Sequence, residues 1–126
     1  MMNHIKIDAT KNTPKVELNP EGKMIIQGRS IKEDPSTFYH SIIDWILQCK
    51  SDTFMLEMRL DYLNTGSSKL IFYMLNAIKK NFSRKKILIK WFYESDDEDM
   101  LDLGRDFESI TNLPMIFYAL QAEQAS

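Results

Sequence analysis

The segment FMLEMRLDYLNTGSSKLIFYMLNAIKKNF, residues 54–82, decides the fold because the period of its hydrophobic pattern changes halfway along it. In the first part every second residue faces one side of a predicted strand, and that side carries Phe54, Leu56, Met58, Leu60 and Tyr62. In the last part the apolar residues recur with the spacing of a helix, at Ile71, Met74, Leu75, Ile78 and Phe82. The segment therefore predicts a strand that leads, through a short polar cluster, into an amphipathic helix.

The residues before this segment predict three short strands and a helix. The strands are residues 4–8, 16–18 and 23–28, and the tight-turn composition of residues 19–22 joins the last two into an antiparallel unit. Asp34 and Pro35 have the composition of a helix N-cap and a first helical turn. The helix that follows is predicted to bury a stripe formed by Phe38, Ile42, Trp45, Ile46 and Cys49.

The residues after this segment predict a strand, a third helix and a last strand. KILIKWFY, residues 86–93, is rich in β-branched and aromatic side chains and is apolar on both faces over part of its length, which is typical of an inner strand. DDEDMLDLGRDFESI, residues 96–110, predicts a helix that is capped by Ser95 or Asp96. The buried side of that helix is predicted to carry Met100, Leu103, Gly104, Phe107 and Ile110. PMIFYAL, residues 114–120, predicts the last strand.

The order of these elements predicts an α/β fold. Strands that alternate with helices favour a central sheet that contains parallel pairs and has helices packed on it. We therefore expect a mixed sheet with an antiparallel N-terminal unit, about three helices packed on the sheet, and a single domain over residues 1–126.

Composition and charge argue against several classes of function. The chain has 126 residues, of which 44 % are hydrophobic, and this is enough to bury one core. Its formal net charge of −2 offers no general affinity for nucleic acid. Cys49 is its only cysteine, which excludes an internal disulfide and a cysteine-based zinc site. The polar N-terminal residues and the lack of a long apolar run predict neither a signal peptide nor a membrane span, so we expect a cytoplasmic protein.

The sequence offers few residues for catalysis or metal binding. His4 and His40 are not close in sequence to a candidate nucleophile or ligand, so we expect surface histidines, no catalytic residue, no metal and no cofactor. The acidic run at residues 95–99 lacks the EF-hand pattern, because the sixth position counted from Asp97 is Asp102 rather than glycine. These acids are expected to favour the positive end of a helix. They also form a candidate acidic contact for a partner, at Asp96, Asp97 and Asp99.

The polar cluster NTGSSK, residues 64–69, has three interpretations. Asn, Thr and Ser all cap helices well, so capping is one role. The cluster lacks the spacing of a Walker A loop, which excludes that route to nucleotide binding. It could still hold the phosphate of a ligand, or accept a phosphate from a kinase, because the N–H groups and the dipole at a helix N-terminus favour an anion.

Three blocks of the sequence suggest a family. They are TPKVELNPEGKMIIQGRS, LDYLNTGSSK and WFYESDDEDMLDLGRDF, and in this order they span nearly the whole chain. On these blocks the chain resembles the SiaC-type regulatory phosphoproteins, a bacterial family long known only as a domain of unknown function. The chain departs from that family at Gly66, where another small residue is frequent, and at Lys32, where a proline is common.

The resemblance implies a STAS-like fold, similar to the anti-sigma-factor antagonists, and a phosphorylation switch. The threonine that matches the acceptor of the family is Thr65. A partner kinase is implied to phosphorylate it and a PP2C-type phosphatase to remove the phosphate. The unphosphorylated form is implied to bind and activate a diguanylate cyclase, which connects the switch to cyclic-di-GMP signalling and biofilm formation. Partner contacts are expected around the acceptor, from Asn64, Gly66, Ser67, Ser68 and Lys69, with Ser67 and Ser68 as less favoured acceptors.

A rival interpretation belongs to a different class. In it the chain is a small enzyme or ligand-binding domain that uses residues 64–68 to hold a phosphorylated metabolite. The substitution Thr65→Ala separates the two interpretations. A switch would be locked in one partner-binding state, whereas a metabolite-binding domain would lose ligand affinity and would never have carried a covalent phosphate.

Overall fold

The computed structural model describes residues 3–83 and 86–121, and within them it places six strands and three helices. In chain order these are β1 (Ile5–Ile7), β2 (Lys15–Asn19), β3 (Lys23–Ser30), α1 (Ser36–Gln48), β4 (Phe54–Leu63), α2 (Thr65–Asn81), β5 (Ile87–Glu94), α3 (Glu98–Thr111) and β6 (Met115–Leu120). Each strand and helix predicted from the sequence is present, with its ends moved by a few residues at most.

The strands form one sheet whose spatial order follows the chain, β1-β2-β3-β4-β5-β6. The pairs β1–β2 and β2–β3 are antiparallel, and the pairs β3–β4, β4–β5 and β5–β6 are parallel. The turn between β2 and β3 requires a glycine, because Gly22 has a φ of +94° and a Cβ there would lie 2.0 Å from the carbonyl oxygen of Thr53. The predicted mixed α/β fold with an antiparallel N-terminal unit is therefore confirmed.

All three helices cover the same face of the sheet. Each helix connects one parallel strand to the next, and the connections all step in one direction across the sheet, so right-handed crossovers place the helices on one side. The side chains beneath them are buried, and on β4 and β5 these are Phe54, Leu56, Met58, Leu60, Ile87, Ile89 and Trp91. The residues between them point to the other face, which carries no helix among the described residues.

The contact between α3 and the sheet is built around Trp91. Its indole N–H donates to the carbonyl oxygen of Met100 at 3.1 Å, and its ring lies 5.8 Å from the ring of Phe107, measured between centroids. A Cβ at Gly104 would come within 2.7 Å of two atoms of the indole ring. The glycine inside α3 is therefore explained by the close approach of the helix to β5.

One residue of β4 that was expected in the core faces the other way. Tyr62 is 60 % exposed because the register between β3 and β4 shifts after Leu60. Gly28 pairs with Leu60, whereas Arg29 pairs with Tyr62, so Asp61 is an extra residue on β4. Since successive residues of a strand face opposite sides, this bulge turns Tyr62 onto the helix-free face.

The prediction for α1 is corrected at two points. The N-cap position is Pro35 rather than Asp34, and no side chain caps the helix, although Oδ1 of Asp34 accepts the N–H of Ser36 at 3.2 Å. The buried stripe passes through Tyr39 rather than Phe38, which is half-buried and packs edge-on against the ring of Tyr39. The rest of the predicted stripe is buried as expected, at Ile42, Trp45, Ile46 and Cys49.

The prediction for α3 is also corrected at two points. The N-cap is Asp97 rather than Ser95 or Asp96, and its Oδ1 accepts the N–H of Met100 at 3.0 Å. Ile110 is 65 % exposed, because the buried stripe of the helix runs beside it. That stripe consists of Met100, Gly104, Phe107 and Thr111.

The single cysteine and the two histidines lie in the environments that the sequence predicts for them. Cys49 is buried at the C-terminal end of α1, and both His4 and His40 are exposed, as predicted. Within residues 3–83 and 86–121 no helix combines the length and the apolar character that crossing a bilayer requires.

Candidate functional site

The polar cluster joins a strand to a helix, as its composition predicts. β4 ends at Leu63, Asn64 occupies the N-cap position, and α2 begins at Thr65. The joint lies where the parallel strands end at their carboxyl side, which is the edge at which α/β sheets present functional loops. Thr65 is therefore the first residue of a 17-residue helix.

Asn64 anchors this joint in three directions. Its side-chain oxygen accepts the backbone N–H of Ser67 at 2.8 Å, which caps the helix. Its side-chain amide donates to the carbonyl oxygen of Lys32 at 3.2 Å, and its backbone N–H donates to the carbonyl oxygen of Ser30 at 3.1 Å. The cap is thus also a connection to the segment that follows β3.

Beneath Thr65 a chain of three buried hydroxyl groups connects three elements. Ser30 at the end of β3 donates from Oγ to Oγ of Ser67 in α2 at 2.8 Å. The hydroxyl of Tyr39 in α1 lies 2.5 Å from the same Ser30 oxygen, and it must be the donor because the single hydroxyl hydrogen of Ser30 points to Ser67. Ser67 and Tyr39 are 0 % exposed and Ser30 is 1 % exposed. The loop therefore rests on a polar network shielded from water.

Burial further stabilises the protonated form of the phenol in this network. It raises the pKa of Tyr39 to about 12, and the hydrogen bond with Ser30 shifts that pKa in the opposite direction by less. The phenol thus stays protonated and able to donate throughout the physiological range. Sequence reasoning missed Ser30 and Tyr39, since serines and tyrosines far apart in the chain carry no pattern that announces a shared hydrogen bond.

The residues of the cluster differ in exposure. Thr65, Gly66 and Lys69 are exposed, Ser68 is half-buried, and Ser67 is fully buried. The ammonium of Lys69 lies 5.9 Å from the centre of the Tyr73 ring, in the next turn of α2. Ser67 therefore cannot contact a partner or accept a phosphate in this conformation, and of the three hydroxyl groups only that of Thr65 belongs to an exposed residue.

The start of α2 is receptive to an anion. The first turn contains no acidic residue, whereas the last turn contains two lysines. Helix geometry provides no acceptor for the N–H groups of Thr65 and Gly66. These groups and the positive end of the helix dipole favour negative charge at the position of the Thr65 side chain.

Comparison with models of protein families shows which family this chain belongs to. The model of the SiaC family of regulatory phosphoproteins matches residues 7–120, which include every strand and helix from β2 to β6. The chain belongs to the SiaC family. The resemblance read from three blocks of sequence is thereby confirmed.

Known proteins similar to this chain include one relative in sequence and several in structure. An uncharacterised protein of Pseudomonas aeruginosa strain UCBPP-PA14 is 26 % identical over 126 residues, which cover 96 % of this chain and 98 % of that protein. The crystal structure of apo-SiaC from Pseudomonas aeruginosa matches with a TM-score of 0.81 at 25 % identity, covering 94 % of this chain and 100 % of that one. A crystal structure of the diguanylate cyclase SiaD in complex with its activator SiaC, from the same organism, matches with a TM-score of 0.82 at 24 % identity, covering 92 % and 99 %.

In this SiaC family member the acidic run forms the start of α3. Asp97 is the N-cap, Glu98 and Asp99 lie in the first turn, and Asp96 is exposed just before it. The acids thus lie at the positive end of the helix, where they are stabilising. In the described part of the chain no three His, Cys, Asp or Glu residues gather into a group that could hold a metal ion. A role of Asp96, Asp97 and Asp99 in partner binding stays a prediction.

Of the cavities on the described surface, two have a well-defined wall, and neither of these is lined by residues 64–69. The larger, of about 1210 Å³, lies between the end of α1 and the turn that joins β2 to β3. The smaller, of about 490 Å³, lies at the carboxyl edge of the sheet and is lined in part by Arg29 and Tyr62. Neither His4 nor His40 lines either cavity. The polar cluster is therefore not part of the wall of either cavity.

Proposed function

We propose that this protein is a non-enzymatic signalling switch that is reversibly phosphorylated on Thr65 and that binds partner proteins according to its phosphorylation state. Membership of a regulatory phosphoprotein family supports a phosphate on the chain. The observation that carries the choice of residue is the exposure of the cluster. Thr65 is exposed at the first position of α2, whereas Ser67 is completely buried and Ser68 is half-buried.

The partners we propose are three kinds of enzyme. A reversible mark needs a protein kinase that adds the phosphate and a phosphatase that removes it, and the family resemblance implies that the phosphatase is of the PP2C type. The SiaC of Pseudomonas aeruginosa is the activator of the diguanylate cyclase SiaD. By analogy, the unphosphorylated form of this protein binds and activates a diguanylate cyclase in the cytoplasm, where it regulates cyclic-di-GMP signalling and biofilm formation.

The start of α2 provides the surface for such binding. Gly66, Ser68 and Lys69 are the accessible contacts around Thr65, and Asn64 supports them through its three hydrogen bonds. The role of Ser67 in this proposal is to hold the loop from below rather than to touch a partner.

The change in binding free energy caused by one phosphate is large enough to switch partner binding on or off. Phosphorylation adds about −1.5 to −2 charges at neutral pH. In a closely packed interface that charge must be desolvated or repelled, and disrupted charge pairing costs roughly 2–5 kcal/mol. Because about 1.4 kcal/mol corresponds to a tenfold change in affinity, the phosphate weakens binding by at least ~30-fold without any refolding.

The first experiment is site-resolved mass spectrometry of the protein taken from growing and from starved cells. Trypsin cuts after Arg59 and Lys69, so a single peptide, LDYLNTGSSK, contains Thr65, Ser67 and Ser68. Fragment ions that break the chain at Gly66 separate a phosphate on Thr65 from one on either serine. We expect phosphate on Thr65 with an occupancy that changes with growth condition. A peptide that is always observed without phosphate would reject the switch in favour of the metabolite-binding rival.

The second experiment measures the output directly. Purified diguanylate cyclases of the source organism are assayed for conversion of GTP to cyclic-di-GMP in the presence of the unphosphorylated protein, the phosphorylated protein and the Thr65→Ala variant. We expect activation by the first and the third only. Ser109→Ala is the control, since it removes an exposed hydroxyl near the far end of α3 and should keep both the activation and its sensitivity to phosphorylation.

A further inference from the structure

The cavity of about 490 Å³ at the carboxyl edge of the sheet is not used by the switch described above. It opens on the helix-free face, where β3, β4 and β5 end, and its wall includes Arg29, Arg59, Tyr62 and Phe92. Its volume falls in the range of small-molecule pockets, about 300–1,000 Å³, and is therefore large enough to admit a side chain of a docked partner. Exposed aromatic and arginine side chains in a cavity of this size are typical of a binding surface.

The β-bulge creates the most prominent feature of this cavity. By turning Tyr62 onto the helix-free face, it leaves the ring 60 % exposed at the cavity wall. The guanidinium of Arg29 lies over this ring, 5.2 Å from its centre, and so holds the ring in place. Tyrosine and arginine are among the residues that carry most of the binding energy in protein interfaces. Bulges commonly serve to re-aim a side chain near a functional site.

Apolar surface continues from the cavity across the sheet. Phe92 lines the cavity and stacks on Tyr118 of β6, with the ring centroids 4.9 Å apart and the planes inclined by 17°. Tyr118 is 38 % exposed and its strand neighbour on the same face, Ile116, is 45 % exposed. A partner seated in the cavity would therefore also cover aromatic and aliphatic surface.

The charges of the cavity select the class of occupant. Two arginines, Arg29 and Arg59, lie on its wall together with four carboxylates, which belong to Asp61, Glu94, Asp96 and Asp97. The ion pairs found among the described residues join lysines to glutamates elsewhere, and neither arginine takes part in them. A small anion would satisfy the arginines but face the carboxylates, and a cation would do the reverse. A polypeptide segment that carries apolar side chains and charges of both signs satisfies the whole wall.

The cavity is adjacent to the proposed phosphorylation site. Only Leu63 and Asn64 separate Tyr62 from Thr65, so an extended chain places the two Cα atoms at most about 11 Å apart. The Debye length at physiological ionic strength, about 8 Å, is shorter than this upper bound, so a phosphate on Thr65 acts mainly on partner groups that dock between the two sites.

We propose that this cavity is the second half of the docking surface that begins at Thr65, and that it receives a polypeptide segment of the partner. An apolar side chain of that segment packs on Tyr62 and Phe92, and its flanking charged side chains pair with the arginines and the carboxylates of the wall. The proposal rests on the proposed function for the identity of the regulated surface, although the occupation of the cavity can be measured without it.

The experiment is photo-crosslinking of the full chain in its native cells, with benzoylphenylalanine in place of Tyr62. The matched control carries the same probe in place of Ile110, which is exposed to a similar degree and lies near the other end of α3, about 18 Å along the helix from its start. Mass spectrometry of the products identifies the crosslinked partner peptide. That partner is then purified and its affinity is measured for the unmodified chain and for Tyr62→Ala, Arg59→Ala and Ile110→Ala.

The expected result is a crosslink from position 62, above the yield from position 110, to a peptide that contains an apolar side chain flanked by an acid and a base. Tyr62→Ala should then weaken binding by about 30-fold, as expected for a hot-spot residue, and Arg59→Ala by about tenfold, while Ile110→Ala leaves it unchanged. A yield at position 62 no higher than at position 110, or an affinity unaffected by Tyr62→Ala, overturns the proposal. Thermal denaturation of each variant shows whether a loss of affinity reflects loss of the fold.

The crosslinking result and the test of the phosphorylation switch can fail independently of each other. Crosslinks at position 62 to a partner that is not a cyclase, with Thr65 never phosphorylated, would retain this docking surface and reject the switch. Phosphate on Thr65 that controls a cyclase, without crosslinks at position 62, would retain the switch and reject this surface.

Discussion

The helices α2 and α3 begin in the same way but differ in the charge of their first turns. Each follows a parallel strand at the same edge of the sheet, and each is capped by a side-chain oxygen that accepts an N–H three residues later. Asn64 accepts from Ser67 at 2.8 Å, and Asp97 accepts from Met100 at 3.0 Å. The first turn of α3 then holds Glu98 and Asp99, whereas the first turn of α2 holds no acid.

This difference shows how one structural joint can serve two purposes. At α3 the positive end of the helix is already compensated by carboxylates, so a further anion would be repelled. At α2 the same end is left uncompensated beneath an exposed threonine, so an added phosphate meets favourable N–H groups and no neighbouring acid in the turn. The fold therefore permits phosphorylation at one helix start and disfavours it at the other.

The largest expected effect contrasts a glycine in each helix. Gly104→Ala should lower the free energy of unfolding by about 2–3 kcal/mol, because the new Cβ would lie 2.7 Å from the indole of Trp91 in a packed core. Gly66→Ala should raise it by about 0.5–1 kcal/mol, because the Cβ would meet Pro35 at an ordinary 3.7 Å and alanine favours a helix. Urea denaturation of the two variants measures both values. Equal destabilisation by the two would show that α2 is as closely packed at its start as α3 is at Gly104.

The second effect tests the buried hydroxyl chain, which is present below α2 only. The unfolded chain loses the Tyr39 proton near pH 10, whereas the folded protein keeps it until about pH 12. Between these two pH values the unfolded state binds fewer protons than the folded state. The free energy of unfolding therefore falls as the pH rises from 10 to 12, by about 1.4 kcal/mol per pH unit. The total loss is about 2–3 kcal/mol, and below pH 10 this contribution is fully present. Denaturation at a series of pH values checks this against Tyr39→Phe, which lacks the titrating group. The stability difference between the two proteins should shrink above pH 10, and parallel curves would contradict the buried position of the phenol.

The third effect compares the two caps. Asp97→Ala should cost about 1 kcal/mol, the usual cost of a lost N-cap. Asn64→Ala should cost more, about 1–2 kcal/mol, because it also removes the hydrogen bond from the Asn64 amide to the carbonyl oxygen of Lys32. Amide hydrogen exchange distinguishes the two sites. Asn64→Ala should remove the protection of the Ser67 amide, and Asp97→Ala should remove that of the Met100 amide. Loss of Ser67 protection in Asp97→Ala would show that the two helix starts depend on each other. Equal costs for the two caps would show that the bond to Lys32 contributes nothing.

The smallest effect is expected when the residues at the first positions of α2 and α3 are exchanged. Thr65 and Glu98 are the first residues of α2 and α3. Thr65→Glu should stabilise the protein and Glu98→Thr should destabilise it, each by about 0.3–1 kcal/mol at low salt. Both effects should nearly vanish in 1 M NaCl, where the Debye length falls to about 3 Å. Melting temperatures at the two salt concentrations provide the test, and a destabilising Thr65→Glu would argue against phosphate tolerance at α2.

Local regularity made most of the fold predictable. The five helical positions from Ile71 to Phe82 are all buried, as their spacing predicts, and Thr65 lies at the helix start that composition assigns to it. Predictions failed where a neighbour in space decides the outcome. The cap of α3 is Asp97 rather than an earlier residue, because Ser95 and Asp96 form the turn after β5, where the N–H of Ser95 donates to the carbonyl oxygen of Leu120 at 2.8 Å. Ile110 is exposed since α3 turns that side away from the sheet.

The sequence by itself determined the elements of this protein, their order and the presence of a cap and of hydroxyl side chains at the start of α2. These depend on residues within a few positions of one another, so period and composition record them. Only the tertiary structure decided that Tyr62 faces outward, because the bulge depends on pairing with β3. It alone also brought Tyr39, Ser30 and Ser67 into one buried chain, because a hydrogen bond between residues 37 positions apart depends on how β3 and α2 pack, which no local pattern encodes.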